Sequence, residues 1–475
     1  MPGTFFGIET AKRALWATQT ALDTTGHNIS NANTPGYSRQ VANLVATEPY
    51  AMPGFTRTGE PQQLGTGVMV ASVDRMRDVF LDWQLRQETQ TKGYWQSMNT
   101  GLNQVELILD EPSESGLRGV LDEFWSALQD LSKQPESLAV RAVVREKAQT
   151  LTELFHANYK QLDDLYNSLG NDITKKVDQL NSLAGRIADL NARIIQVEST
   201  GGKANDLKDQ RDYLIGQAAQ IVNLRVVEQN NGSVDVLVGG GPLVEGKVAH
   251  NLVAQVTGSS SDVGGVQFHW LSDGGPTAEI TNGELAGLRD MREAIRAHDG
   301  KSGWLDRLNA LAADLVTKFN DQHYKGYDLN GQPGTDFFAP PTPGNPVTAE
   351  NIRLSDQITN DLGNIAASAS AGGAPGDGDN AIALGEALDA TRTDYRSLIS
   401  SLGVDAQHAK NMEDNQTALV SQLDRLSQSV SGVSLDEEMT NMIRFQQGYN
   451  AAARLVTTLD EMLDTMISRM GLVGR

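Results

Sequence analysis

Residues 434–470 read SLDEEMTNMIRFQQGYNAAARLVTTLDEMLDTMISRM. Apolar or small residues fall at Met442, Phe445, Tyr449, Ala452, Val456, Leu459, Leu463, Met466 and Met470, at spacings that alternate three and four. That alternation is the heptad seam of a coiled-coil helix. Ser434 followed by Glu437 reads as a capping box, and Asp436 and Glu438 suit the positive end of the helix dipole. At 1.5 Å per residue the helix is roughly 50 Å long. One seam cannot bury itself, so the chain must supply a partner.

The opening residues offer one. Ile8, Leu15, Leu22 and Ile29 recur every seventh residue, and Ala11, Thr18, Thr25 and Ala32 stand three after each. This is a second heptad with a large residue at one seam position and a small one at the other, and small knobs let helices approach closely. The expectation is a chain that leaves and returns through one terminal helix pair. Its assembly interface is then Ile8, Leu15, Leu22 and Ile29 with Met442, Phe445, Tyr449, Val456, Leu459, Leu463 and Met466.

Between the two ends the pattern changes several times. His27–Gln40 (HNISNANTPGYSRQ) is turn-forming, and Pro35 keeps Thr34 out of helical geometry, so the first helix should end near Asn31. Residues 41–75 read as a β-rich extension, and 76–215 as a long-helix bundle with breaks at Pro112 and Pro135. Trp83, Trp95 and Trp125 are expected in the bundle core. Leu180, Leu183, Ile187, Leu190, Ile194 and Val197 form a further seam. An inserted β domain occupies 216–283, with Asn230-Asn231-Gly232-Ser233 as a hairpin turn. Bundle helices return over 284–325, running from Glu284 to His298 and again from Trp304. A loop-rich segment with short strands fills 326–389, a bundle helix covers 390–431, and the closing assembly helix 432–475. Residues 1–40 are the opening assembly helix and turn. The fold class is therefore mainly α with inserted antiparallel β, in an elongated multi-domain protein.

Composition narrows the function. The 475 residues carry a formal net charge of −21, which disfavours nucleic acid and anionic membranes as partners. With no Cys, disulfides, zinc–thiolate sites and cysteine nucleophiles are excluded. No apolar run of about 18 residues is present, and the amphipathic N-terminus lacks the core of a signal peptide. A soluble protein made in the cytoplasm is expected, with any export by another route. The seven His are scattered and fit no metal motif, and neither a nucleophile elbow nor a phosphate loop occurs. Two acidic loops, Asp328/Asn330/Asp336 and Asp377/Asp379, could suggest calcium, but both read as side-chain-capped turns and lack a terminal bidentate Glu. Asn28-Ile29-Ser30 matches a glycosylation sequon, a pattern common by chance. No cofactor and no catalytic residue is expected; what remains are surfaces suited to assembly.

Several segments carry a resemblance. Residues 21–40, ALDTTGHNISNANTPGYSRQ, resemble the N-terminal signature shared by bacterial flagellar rod, hook and hook-associated axial proteins. LDEEMTNMIRFQQGYNAAARLVTTLDEML resembles their C-terminal signature, and Leu435–Glu438 with Phe445-Gln446-Gln447 is most similar to the hook-associated protein 1 family. Asn205–Asp212 (NDLKDQRD), Phe319–Gly331 (FNDQHYKGYDLNG) and Gly376–Asn380 (GDGDN) resemble interior elements of that family. The resemblance implies a structural protein forming a ring of its own copies at the hook–filament junction. Implied partners are hook protein, the second hook–filament junction protein, and an export chaperone at the C-terminal helix, with no nucleic acid and no membrane. Export without a cleaved signal peptide is implied as well. The alternatives are a hook or distal rod protein and, from another class, a wall-cleaving enzyme, which would need a catalytic module not visible here.

Overall fold

The computed structural model describes residues 5–49, 65–110, 116–257, 265–270, 275–297, 302–339 and 346–469. The expected seam residue Met470, the break at Pro112 and the helix end at His298 lie outside them. Ten α-helices carry the described chain: α1 (Phe6–Ser30), α2 (Val79–Leu109), α3 (Leu117–Lys133), α4 (Leu138–Ser199), α5 (Asn205–Ile221), α6 (Glu284–Ile295), α7 (Trp304–His323), α8 (Asp356–Asn360), α9 (Asp379–Ser431) and α10 (Leu435–Arg469). At 62 residues, α4 is roughly 90 Å long and is the axis of an elongated body.

Two hydrophobic cores sit along α4. The first packs its N-terminal half against α2, α3, α7 and α9, around fully buried Phe124, Phe155, Tyr166, Phe319, Phe337 and Phe338. Phe319 and Phe337 meet with ring centroids 4.8 Å apart. The second buries the Ile173–Leu190 stripe against α5, α6 and the β strands. Those strands are β3 (Leu224–Glu228), β4 (Val234–Val238), β5 (Gly241–Glu245) and β6 (Val248–Ala249) in one antiparallel sheet, with β7 (Leu252–Val256) and β8 (Val266–Trp270) as a separate hairpin. The turn between β3 and β4 is the expected one: Gly232 takes φ +84°, and Gln229 N–H bonds Ser233 O at 2.9 Å. In the loop-rich segment β9 (Phe338–Ala339) and β10 (Arg353–Leu354) pair over two residues.

The chain ends stand apart from both cores. α1 stops where Asn31 N–H turns back to the carbonyls of His27 and Asn28. β1 (Gln40–Ala46) and β2 (Val68–Arg75) follow as an antiparallel hairpin, Gln40 opposite Arg75 and Ala46 opposite Val68. α9 ends at Gly432, and α10 returns to lie on α1.

Two expectations change. Trp83 is 53 % exposed, because Asp82, Leu85 and Thr89 turn inward on that part of α2 and leave Val79, Phe80 and Trp83 on the outer side. Trp95 and Trp125 do pack against the first core, though only partly buried. At the start of α10 half of the capping box forms: Glu437 N–H reaches Ser434 Oγ at 3.5 Å, while the Glu437 carboxylate is drawn to Arg39.

Candidate assembly site: the terminal helix pair and its polar base

Close approach fixes how α1 and α10 meet. A Cβ at Gly7 would lie 3.1 Å from Leu459 Cδ1, and one at Gly448 would lie 3.3 Å from Thr18 Cγ2. Farther along, Asn28 Nδ2 donates to Glu438 Oε2 at 3.1 Å. Each step up α1 is matched by an equal step down α10, so the helices are antiparallel in constant register.

That register corrects the expected seam. The row of α1 facing α10 is Gly7, Ala11, Ala14, Thr18, Ala21, Thr25 and Asn28, of which Ala11, Ala21, Thr25 and Asn28 are buried. Its members are small, so the helices come close. Ile8, Leu15, Leu22 and Ile29 stand about a quarter-turn to one side, only half-buried. A quarter-turn to the other side, Thr10, Arg13 and Ala17 meet the β1–β2 hairpin: Gly67 approaches Thr10 and Arg13, and Arg13 Nη1 donates to Thr66 O at 3.3 Å.

α10 divides in the same way. Glu438, Phe445, Gly448, Ala452 and Leu459 form the row toward α1, and Met466 continues it beyond the described start of that helix, 45 % exposed. Met442, Tyr449, Val456 and Leu463 lie about a quarter-turn away, in a row with exposed Leu435 and Met439. Because the helices are antiparallel, this row and the Ile8–Ile29 row open on the same side of the pair, opposite the hairpin. Of the expected interface residues, Phe445 and Leu459 thus serve the internal contact. The other described ones, Met466 apart, form a shared lateral face.

Beneath the pair lies a dense polar base. Asn28 uses all four of its side-chain positions. Its Nδ2 donates to Gln40 O and Glu438, and its Oδ1 accepts from Tyr37 Oη at 2.7 Å and Gln40 N at 2.9 Å. Arg39 Nε donates to Glu438 Oε1 at 2.7 Å and Arg39 Nη1 to Glu437 Oε2 at 2.8 Å. On α5, Asp209 accepts from both Ser38 N and Ser38 Oγ at 2.8 Å and from Arg75 Nη1 at the same distance. Asp206 accepts from Gln40 Nε2, and Asp212 from Arg75, Arg77 and Arg211.

Burial and charge oppose one another here. Burial pushes the Asp209 carboxyl up against the pull of Ser38 N–H and Arg75. Burial acts on Asp212 as well, but Arg211, Arg77 and Arg75 outweigh it and hold that carboxyl below the usual range. The Tyr37 phenol is pushed well up by burial and by Asp206, Asp209 and Glu438. The base therefore joins four segments, residues 27–40, 75–77, 205–212 and 437–438, through charge-assisted bonds. Sequence reasoning marked those segments one by one and missed that they meet. A signal was present: Asp206, Asp209 and Asp212 make a carboxylate row three residues apart, which calls for cations from elsewhere in the chain.

The acidic loops are otherwise employed. Asp328 Oδ1 accepts Asn330 N and Gln332 N, and Asp377 accepts Ser368 Oγ, Ala369 N and Asp379 N. Asp336 accepts from Asn320 Nδ2 and Tyr324 Oη. Among the described residues no group of three or more His, Cys, Asp or Glu is placed to hold a metal ion, and no helix is long and apolar enough to cross a membrane.

Comparison with known proteins agrees in all parts of the chain. Residues 102–338 match the family described as flagellar hook-associated protein FlgK helical domain. Residues 427–469 match the flagellar basal body rod FlgEFG protein C-terminal family, and 8–37 the flagella basal body rod protein family. Flagellar hook-associated protein 1 of Bacillus subtilis is 35 % identical, with all of both chains covered. Its namesake in Escherichia coli is 27 % identical over 97 % of this chain and 99 % of that protein. The solved flagellar hook junction protein FlgK from Burkholderia pseudomallei shares the fold at a TM-score of 0.61 and 18 % identity, covering 73 % of this chain and 100 % of that one.

Proposed function

From the premise that this chain belongs to the flagellar hook-associated protein 1 family, we propose that the lateral face shared by α1 and α10 is the surface through which its copies assemble. The protein is a structural axial component of the bacterial flagellum, the junction between hook and filament, and it assembles there with hook and other axial proteins. In the finer reading its copies form a ring that contacts hook protein on one side and the second junction protein on the other. The ring adapts a curved tube to a stiffer one. The chain is exported without a cleaved signal peptide, after a chaperone has held its C-terminal helix, and its role is structural rather than enzymatic.

One observation carries the assembly reading. Ile8, Leu15, Leu22 and Ile29 align with Met442, Tyr449, Val456 and Leu463 on the side away from the hairpin, and α10 rests principally on α1. Exposed Leu435, Met439 and Ile443, each at least half exposed, extend the apolar surface toward the base. Apolar stripes on two neighbouring helices form a groove for a third, here one from an adjoining copy.

Two substitutions separate the internal contact from the external one. Met442→Asp places a charge on the lateral row and leaves the row facing α1 intact. The body is expected to melt as in the parent, while recovery of the protein in purified hook–basal bodies falls by about tenfold or more, since burying an unpaired charge is costly. Leu459→Asp is expected to part α10 from Gly7 and so to speed amide exchange along both helices in the monomer. Parental incorporation of Met442→Asp would sink the proposal.

A further inference from the structure

Beside the polar base, α2, α5, α9 and the Gly36–Ser38 turn enclose a cleft of about 470 Å³. Leu85 and Thr89 of α2, Gln217 of α5, and Ser421 and Gln428 of α9 help to line it. Its charges are unevenly matched. Asp82 is held by Arg77, Asp212 by Arg75, Arg77 and Arg211, and exposed Asp424 accepts from Gln428 Nε2 at 2.8 Å. Arg86 stands half-buried in the same wall, and no described residue offers its guanidinium a hydrogen bond or an ion pair. Burial pushes Arg86 below its ordinary value, Arg77 and Arg211 add repulsion, and Asp212 and Asp82 do not restore it. A guanidinium drawn out of water without a bonded carboxylate is costly to keep.

Position on the helix adds a second observation. Arg86 lies at the margin of the cleft, with Asp82, Leu85 and Thr89 on one side of it. On the other side Val79, Phe80 and Trp83 are 71 %, 64 % and 53 % exposed, the last two in ring contact at 5.9 Å. An arginine with open donors beside an exposed tryptophan has the composition of an interface anchor.

We infer that Arg86 receives a carboxylate side chain from a neighbouring copy of this chain, with Val79 and Trp83 as the apolar shelf beside it. The fork of N–H donors matches a carboxylate in two bonds. A neighbouring copy is rich in such groups, with 60 Asp and Glu against 39 Lys and Arg. A contact between two different patches on identical subunits is the kind that closes rings or extends helices. The inference rests on the reading that copies assemble side by side, and it adds a second contact on the body, away from the terminal helices.

Photo-crosslinking in assembled flagella tests it with the full chain. Benzoylphenylalanine at Trp83 is expected to crosslink to a peptide of a neighbouring copy that contains Asp or Glu, identified by mass spectrometry. Adding Arg86→Gln should cut that product by about tenfold, and Arg86→Lys should restore only part of it, because an ammonium keeps the charge but not the two-bond fork. A crosslink at Trp83 that is unchanged by Arg86→Gln, or that leads only to other proteins, overturns the inference. The same probe at Val456 reports assembly through the terminal pair. Product at Val456 without product at Trp83 overturns the inference alone, and absence of both removes the assembly reading beneath it.

Discussion

His323 shows how much one side chain settles in this fold. It is fully buried, with Nδ1 2.6 Å from Thr335 O and Nε2 2.9 Å from the Ala366 N–H. Nε2 must accept, so the proton sits on Nδ1 and the ring is neutral. Burial, against the pull of Thr335 O and Asp336, lowers its pKa from 6.5 to about 4. As pH falls, the unfolded chain takes up this proton first. The contribution to stability is complete above pH 6.5 and is lost as pH falls toward 4, to a total of about 3 kcal/mol. Urea midpoints at pH 7 and pH 4.5 should therefore differ less in His323→Gln than in the parent; an equal difference would refute the assignment. The same neighbourhood explains the interior motifs. Asn380 Nδ2 donates to Ala366 O at 2.6 Å and Gln322 Nε2 to Asn380 Oδ1 at 2.8 Å, so the FNDQHYKG and GDGDN segments close on one strand of backbone. Nothing in local patterning foretells that meeting, because polar partners carry no periodicity.

Among the elements, the helices were the most legible part of the chain and their mutual orientation the least. The three-and-four alternation places α10, and Asn31 and Pro35 mark the end of α1. A heptad read by size, however, assigns the large residues to the nearest partner, and on α1 they went to the flank. The small row won the internal contact because Gly7 and Gly448 allow Leu459 and Thr18 to come close. That choice has a dynamic cost. Small side chains bury little apolar area, no residue of α1 or α10 belongs to either hydrophobic core, and the backbone entropy of both helices must still be offset. Hydrogen exchange on the purified monomer should show residues 8–30 and 442–466 exchanging well ahead of α4 and α7. Protection there as strong as in α4 would contradict this.

For the molecule as a whole, the two cores strung along α4 explain why ends and body separate. Each core is complete without the terminal pair, which meets the body through the polar base. A chain cut to residues 41–431 should therefore unfold cooperatively within a few degrees of the full chain, as followed by circular dichroism, a small shift for a body of this size. A collapse of the transition would show that the ends hold the body together. The base itself has a consequence for how the protein is made. Asn28 and Arg39 find their acceptors on Glu437 and Glu438, some 400 residues later in the chain. A polypeptide that emerges N-terminus first leaves Arg39 and one donor position of Asn28 without these acceptors until residues 437–438 have appeared. A product that stops before Glu437 lacks these acceptors, so α10 is locked to the turn after α1 only once residues 437–438 are present, whereas Ser38 and Gln40 have by then tied α1 to α5.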